Sequence, residues 1–253
     1  MIDTSIVRTL RSIESIAVIP RVASTNLIAR RIVAECIENE LSLPQAMIIA
    51  GEQFAGRGRN DRRWSSPAGK GIYATTLVTR PAQELQVLPL AMANIVATYL
   101  RETFAIDARI KWPNDVLVGG RKIAGILIEA RLLEERAYLL IGTGVNVEPV
   151  QDDTRPNAVA ISELTQRDFG GIEIATRAFV EHLDEHLSRP FHRDEVLRTW
   201  RALSVHKPGD RIHCVLGDRT IDGNWAHIDE HGRAVLETDE GTVAVSAGDL
   251  FLE

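Results

Sequence analysis

The sequence predicts an α+β protein in two parts, a larger one of interleaved strands and helices through residue 205 and a small all-β module from 206 to 253. Three observations carry this. Apolar segments of helical length at 88–104 and about 172–188 alternate with shorter β-branched runs. After Lys207-Pro208-Gly209 the chain turns to short strands separated by turn residues. Its 253 residues, 45% hydrophobic and 25% charged, suit one large core with a small module appended.

Taken in order, Ser24, Thr25 and Asn26 are good N-cap residues, and in the following LIARRIVAECIENE the residues Ile28, Ile32, Cys36 and Ile37 fall near one face. A helix opened by an STN cap is expected there. QAMIIAGEQF reads as a buried strand because Met47 to Ala50 is a continuous apolar run with turn-formers beyond it. GIYATTLVTR, with β-branched and aromatic residues, is a second strand, and LPLAMANIVATYLRETF is a helix. Pro113 forbids a helix through KWPND and biases Trp112 to extended backbone, so Lys111 to Asp115 is a strand end turning into a loop, with Trp112 in the core. VLVGGRKIAGILIEA gives two strands joined at Gly119-Gly120, a pair able to take the positive φ values of a tight hairpin. YLLIGTGVNV is a further strand ending at Asn146. Beyond the polar stretch Gln151 to Pro156, helices are expected at about Ile172–Ser188 and Glu195–Leu203. RIHCVL, TIDGNWAHI, AVLET and GTVAVSA then form the β module, with a boundary near His206.

A net charge of −6 argues against a general nucleic-acid-binding surface. No apolar run approaches the roughly 18 residues of a membrane span, and Met1 to Pro20 lacks the pattern of a signal peptide, so a cytoplasmic protein is expected. Cys36 and Cys214 make neither a disulfide framework nor a CxxC metal pair and read as small buried apolar groups.

Against this acidic background, GEQFAGRGRNDRRW places Arg57, Arg59, Arg62 and Arg63 within seven positions, spaced by Gly56 and Gly58. Glycine lets the backbone approach a ligand closely and arginine offers planar charged forks, so the stretch reads as an anion-handling loop; a solvated basic loop and a nucleic-acid segment are the alternatives. KWPND brings Lys111, Asn114 and Asp115 onto non-helical backbone, either to converge on a ligand or to cap their own turn. Strand alternation puts Lys122 on one face with Ala124, Ile126 and Ile128, at a snorkelling edge or as a charge held in a site, with Gly125 leaving room beside it. GTGVN fails as a dinucleotide fingerprint, lacking the third glycine and the following helix, and reads instead as a glycine-lined strand end carrying Asn146 into a pocket. His182 to His186 matches the HxxEH zinc pattern, but Phe179, Val180, Leu183 and Leu187 already explain a core-packing helix. No serine or cysteine triad is visible.

The ordered set STN (24–26), Gln53 with GRGR (56–59) and Trp64, KWPND (111–115), RKIAGIL (121–127) and GTGVN (142–146) resembles biotin protein ligase. The resemblance implies a class II synthetase-like central mixed sheet with flanking helices as the catalytic domain, 1–205, and an SH3-like β-barrel at 206–253. It implies ATP-dependent activation of biotin to biotinyl-5′-AMP with Mg²⁺, then transfer to a lysine of a biotin carboxyl carrier protein domain. No tightly bound cofactor, nucleic acid or membrane partner is expected, and the chain is a monomer or homodimer. By the same resemblance Ser24, Thr25, Asn26, Gln53, Gly56, Arg57, Gly58, Arg59, Lys122 and Gly125 bind biotin. Arg59, Trp64, Lys111, Asn114, Asp115, Lys122 and Asn146 serve ATP, Lys122 and Arg59 act in catalysis, and Asp115 is the candidate for the metal. Two departures stand out: Asp61 occupies a position where the family commonly has glycine, and only 23 residues precede Ser24, which leads us to expect a ligase without repressor function. The rival readings are a lipoate or octanoate ligase and a biotin-responsive DNA-binding regulator.

Overall fold

The computed structural model describes residues 9–60, 62–150, 157–165 and 168–252; Asp61 and the polar stretch 151–156 lie outside the described residues. A seven-stranded mixed sheet has the order β1-β2-β3-β7-β6-β5-β4, formed by Ser15–Ile19 (β1), Ala46–Ala50 (β2), Gly71–Pro81 (β3), Arg109–Lys111 (β4), Asp115–Val118 (β5), Arg121–Leu133 (β6) and Arg136–Asn146 (β7). Only β1 and β2 pair in parallel, with α1 (Thr25–Glu38) as the crossover between them. The remaining strands are antiparallel neighbours, and β5 and β6 turn at Gly119 and Gly120 with φ of 56° and 78°, as the Gly-Gly pair requires.

One face of the sheet packs on α2 (Leu88–Phe104), α4 (Gly171–Leu187) and α5 (Arg193–Leu203), while a one-turn α3 (Ile161–Leu164) follows the loop after β7. Helix α2 is buried on nearly every side, from Leu90 and Met92 to Tyr99 and Leu100, which is why its sequence is apolar all round. The opposite face carries α1, whose Ala29, Val33 and Cys36 meet Ile48, Leu77 and Leu140 in a smaller apolar cluster. No helix among the described residues is long and apolar enough to cross a membrane.

The C-terminal strands Arg211–Leu216 (β8), Arg219–Ile228 (β9), Ala234–Thr238 (β10), Gly241–Val245 (β11) and Asp249–Leu252 (β12) form a five-stranded antiparallel sheet, β11-β10-β9-β8-β12. Its core joins that of the larger part through Trp225, whose ring lies 6.2 Å from that of Trp200 of α5 and stacks on His206 at 4.3 Å. The His206 Nε2 accepts the Trp112 backbone N–H at 3.1 Å, and the Trp112 indole N–H donates to the Gly232 carbonyl at 3.0 Å. Trp112 is buried, as its place after a strand predicts, and through it the second sheet grips the turn between β4 and β5.

Candidate active site

On the α1 face of the large sheet lies a cavity of about 200 Å³, walled by the start of α1, the arginine loop, β6, β7 and Asp249 of β12. Its floor is strand backbone at three glycines, and two side chains lie across it. Asn26 covers Gly142, where any Cβ would overlap the amide, and the Trp64 indole covers Gly144 and Gly125. These glycines permit close approach, which is the physical content of the GTGVN and KIAGIL motifs.

Helix α1 starts at Thr25 with Ser24 in extended backbone at the N-cap, but the Ser24 side chain makes no cap hydrogen bond. The STN cap is therefore corrected: Gln53 Oε1 accepts the Thr25 backbone N–H at 2.8 Å, leaving Thr25 and Asn26 to turn their side chains into the cavity wall. Thr75 Oγ1 of β3 lies 2.7 Å from Thr25 Oγ1 and 2.6 Å from Asn26 Oδ1, and Asn26 Nδ2 donates to Glu129 Oε1 at 2.9 Å. The other Glu129 oxygen pairs with Arg30.

The arginine loop is an irregular hairpin rather than a continuation of β2, which ends at Ala50. Gly58 N–H donates to the Arg62 carbonyl at 2.7 Å and Trp64 N–H to the Gly56 carbonyl at 2.9 Å, with Asn60 at the tip in left-handed backbone, φ 51°. The second sheet holds that tip: Asp249 Oδ2 accepts from Asn60 Nδ2 at 3.1 Å and pairs with Arg62 at 2.7 Å. Arg59 Nη1 donates to Asn114 Oδ1 at 3.2 Å, tying the loop to the KWPND turn.

Lys122 reaches the cavity by a route that simple alternation misses. Val116 pairs with Ala124 but the next residue, Leu117, pairs with Lys122, so Ile123 is an extra residue, a bulge that reverses the parity of the strand. Ile123, Ala124 and Ile126 pack into the main core, whereas Lys122 shares a side with Gly125, whose built Cβ would lie 3.2 Å from Nζ. The expected face of Lys122, Ala124, Ile126 and Ile128 is therefore corrected. Lys122 Nζ sits 2.6 Å from Asp115 Oδ1 and 5.3 Å from the centre of the Trp64 ring.

Of the residues singled out in the sequence, Ser24, Thr25, Asn26, Gln53, Arg57, Gly58, Arg59, Trp64, Asn114, Asp115, Lys122 and Gly125 all line this cavity. Gly56, Lys111 and Asn146 do not. Gly56 is tight against its own chain, since a Cβ there would lie 2.8 Å from Ser66 Oγ. The Lys111 ammonium lies over the Phe251 ring at 5.2 Å, and burial is the main cause that lowers its pKa. Asn146, expected in a pocket, instead donates to the Lys122 and Val159 carbonyls at 3.2 and 3.1 Å, and so clamps the bulge that aims Lys122. Sequence reasoning missed Asp249, Thr75 and Glu129. Glu129 was within reach, because it follows Gly125 and Leu127 at the strand period of two.

The HxxEH helix does not assemble a metal site. His182 packs on Tyr99 and burial pushes its pKa down to about 4, while Asp184 accepts the backbone N–H groups of Arg11, Ser12 and Ile13. Among the described residues no three His, Cys, Asp or Glu side chains are placed to share a metal ion. Cys36 and Cys214 are free and buried, and burial raises the Cys214 thiol to about 11.

Residues 18–146 match the profile of the biotin/lipoate A/B protein ligase family. The bifunctional ligase/repressor BirA of Bacillus subtilis is 30% identical over 217 residues, 81% of this chain and 66% of that protein, so the match spans just under two-thirds of the relative. The biotin–[acetyl-CoA-carboxylase] ligase of Mycobacterium tuberculosis is 31% identical over 211 residues, 81% of this chain and 77% of that one. Among solved structures, biotin protein ligase from Aquifex aeolicus in complex with biotin and ATP superposes with a TM-score of 0.71 at 25% identity, covering 94% of this chain and 98% of that one. By profile, identity and fold, this chain belongs to the biotin/lipoate A/B protein ligase family.

Proposed function

We propose that this chain is a biotin protein ligase that joins biotin to the AMP moiety of ATP and then transfers it to a lysine of a biotin carboxyl carrier domain; relatives named biotin–[acetyl-CoA-carboxylase] ligase support this reading. In the first step a biotin carboxylate oxygen attacks the α-phosphorus, the bond to the bridging oxygen of the β-phosphate breaks, and pyrophosphate leaves. In the second step the carrier amine attacks the acyl carbon, AMP departs, and the amine loses a proton. Both reactants of the first step are anions that repel, so the task is to hold them together by fixed positive charge, with no enzyme nucleophile.

The observation that carries this reading is a single cavity with a polar, uncharged end at Ser24, Thr25, Asn26 and Gln53 and a cationic end at Arg57, Arg59, Arg62 and Lys122. The first end suits a neutral polar ring and the second suits a carboxylate facing phosphates. Lys122 is the group we assign between carboxylate and α-phosphate, and Arg59 the one that retains the adenylate. Trp64 offers its ring to the adenine. Lys111 and Asn146 support from outside the cavity.

For Mg²⁺, Asp115, with Asn114 Oδ1 on the same turn, offers a carboxylate of the kind this ion takes together with phosphate oxygens, once Lys122 turns from Asp115 to its substrate. Bound there, the ion would neutralise phosphate charge. The same reading takes residues 1–205 as the catalytic domain and 206–253 as a C-terminal domain, in a cytoplasmic monomer or homodimer without a nucleic-acid partner. Pyrophosphate release measured with ATP plus biotin, lipoate or octanoate, followed by transfer of labelled biotin to a carrier domain, tests the proposal. Release with lipoate but not biotin would overturn it.

A further inference from the structure

The polar end of the cavity contains a relay whose direction is fixed from one terminus. Asn26 is 6% exposed and its amide is held on both sides. A carboxylate has no proton to donate, so Asn26 must turn its NH₂ toward Glu129 Oε1, 2.9 Å away. Its carbonyl oxygen then faces Thr75 Oγ1 at 2.6 Å, which has to donate. A hydroxyl has one proton, so in the 2.7 Å contact between Thr75 and Thr25 the Thr75 oxygen can only accept. Thr25 therefore directs its proton to Thr75 rather than to Gln53 Oε1 at 3.1 Å, which already accepts the Thr25 backbone N–H. What remains on Thr25 for a ligand is lone pairs alone.

We propose that Glu129, held by Arg30 from one turn along α1, sets the donor–acceptor polarity of the ring end of the cavity and is thereby a specificity-determining positioning residue. The inference rests on the reading that biotin's ring binds at this end. A ureido ring brings N–H donors that Thr25 is set to accept, whereas the dithiolane ring of lipoate brings none and would leave those acceptors unpaired.

Glu129→Gln isolates the effect. Arg30 donates only, so it will draw the carbonyl oxygen of the new amide and turn its NH₂ toward Asn26. Asn26 must then flip, Thr75 becomes an acceptor toward it and a donor toward Thr25, and Thr25, having given one lone pair to Thr75, turns its proton to Gln53 Oε1 at 3.1 Å or toward the ligand, so that at most one of its two lone pairs is left for the ligand's N–H. Removing the guanidinium as well, in Arg30→Met with Glu129→Gln, frees the new amide to offer its oxygen to Asn26 and restores the original direction. Loss of packing could not be rescued in this way, because the second change only removes more of the side-chain contact.

The experiment is calorimetric titration of biotin into the full chain in four forms. The expected result is that R30M binds like wild type, E129Q binds about tenfold or more weakly, and R30M/E129Q returns to within about threefold of wild type. Wild-type affinity in E129Q, or a double variant no better than E129Q, would overturn the proposal. Absence of biotin binding by the wild-type chain would overturn the functional reading instead.

Discussion

Gly144→Ala tests whether the Trp64 indole lies where the cavity needs it. A methyl built on Gly144 would overlap Trp64 Cε2 and sit 2.5 Å from Nε1 and 2.7 Å from Cζ2. Ordinary contact is about 3.5 Å, so the indole must move by roughly 1 Å. The strand cannot give way, because Gly144 is paired with Tyr73 of β3 on one side and Gly125 of β6 on the other. Trp64 can, because it sits at the end of the arginine loop. Overpacking of this kind costs about 1–3 kcal/mol, and here it falls on the arrangement of the ring rather than on the fold. If the ring is part of the nucleotide site, KM for ATP in biotin-dependent pyrophosphate release should rise by about 5- to 150-fold with little change in Tm. Emission offers a second readout, since Trp112, Trp200 and Trp225 are at most 3% exposed and a change on substitution reports Trp64. Unchanged KM and emission would refute the assignment of the indole to ATP. A collapse of Tm would refute the claim that the loop absorbs the strain.

Lys122→Ala should lower the rate of biotinyl-5′-AMP formation by about 10²- to 10³-fold, the usual cost of deleting one fixed group that stabilises developing charge, while Tm stays close to wild type. Near-normal single-turnover adenylation would remove Lys122 from the chemistry. Asp249→Asn removes the ion pair to Arg62, which is solvent-facing on the arginine side and worth about 0.2–1 kcal/mol, so preformed biotinyl-5′-AMP should escape about 1.5- to 5-fold faster; an unchanged or slower release rate would deny the C-terminal sheet a part in holding the loop. Burial pushes His206 and His182 down to about 4 from an unfolded value of about 6.5, so the fold favours their neutral forms. Their contribution is complete above about pH 6.5 and is lost as pH falls toward 4; urea midpoints at pH 7.5 and 5 should differ in that direction, and a flat profile would contradict the burial of both rings.

The parts of the site legible in the sequence were those whose local chemistry has only one use. Gly119-Gly120 marks a hairpin, Pro113 a helix stop, and an arginine-glycine loop in an acidic chain marks anions. What stayed hidden depended on parity and distance. The bulge at Ile123 leaves no signal in an apolar run, yet it decides which side of β6 Lys122 occupies. Asp249 lies 187 residues beyond Arg62, on a four-residue strand that composition does not announce, and it is long-range packing, such as that of Trp225 with His206 and Trp200, that brings the two sheets together. The edge strand β1 went unread for a similar reason, since SIAVI is short and its partner β2 becomes a neighbour only through the α1 crossover.

The charge arrangement explains how a cavity lined by Arg57, Arg59, Arg62, Arg63 and Lys122 can exist inside one chain. Lys122 has Asp115, Arg62 has Asp249, Arg59 has Asn114 Oδ1 and Arg63 has the Phe54 carbonyl, so four of the converging cations have internal acceptors. None of these contacts is deeply buried: the Lys122 and Asp115 side chains are 36% and 26% exposed, and Arg62 is 62% exposed. That matters because a fully buried ion pair is costly to break, whereas a partly solvated one can exchange its partner at little cost. On the proposed reading, phosphate and carboxylate oxygens entering the cavity would take the places of Asp115 and Asp249. The exchange would release Asp115 toward a cation at the moment when phosphates arrive to share it. The acceptors of Lys122 and Arg59, Asp115 and Asn114, are thus placed by the same short turn, KWPND, which the C-terminal sheet grips through Trp112.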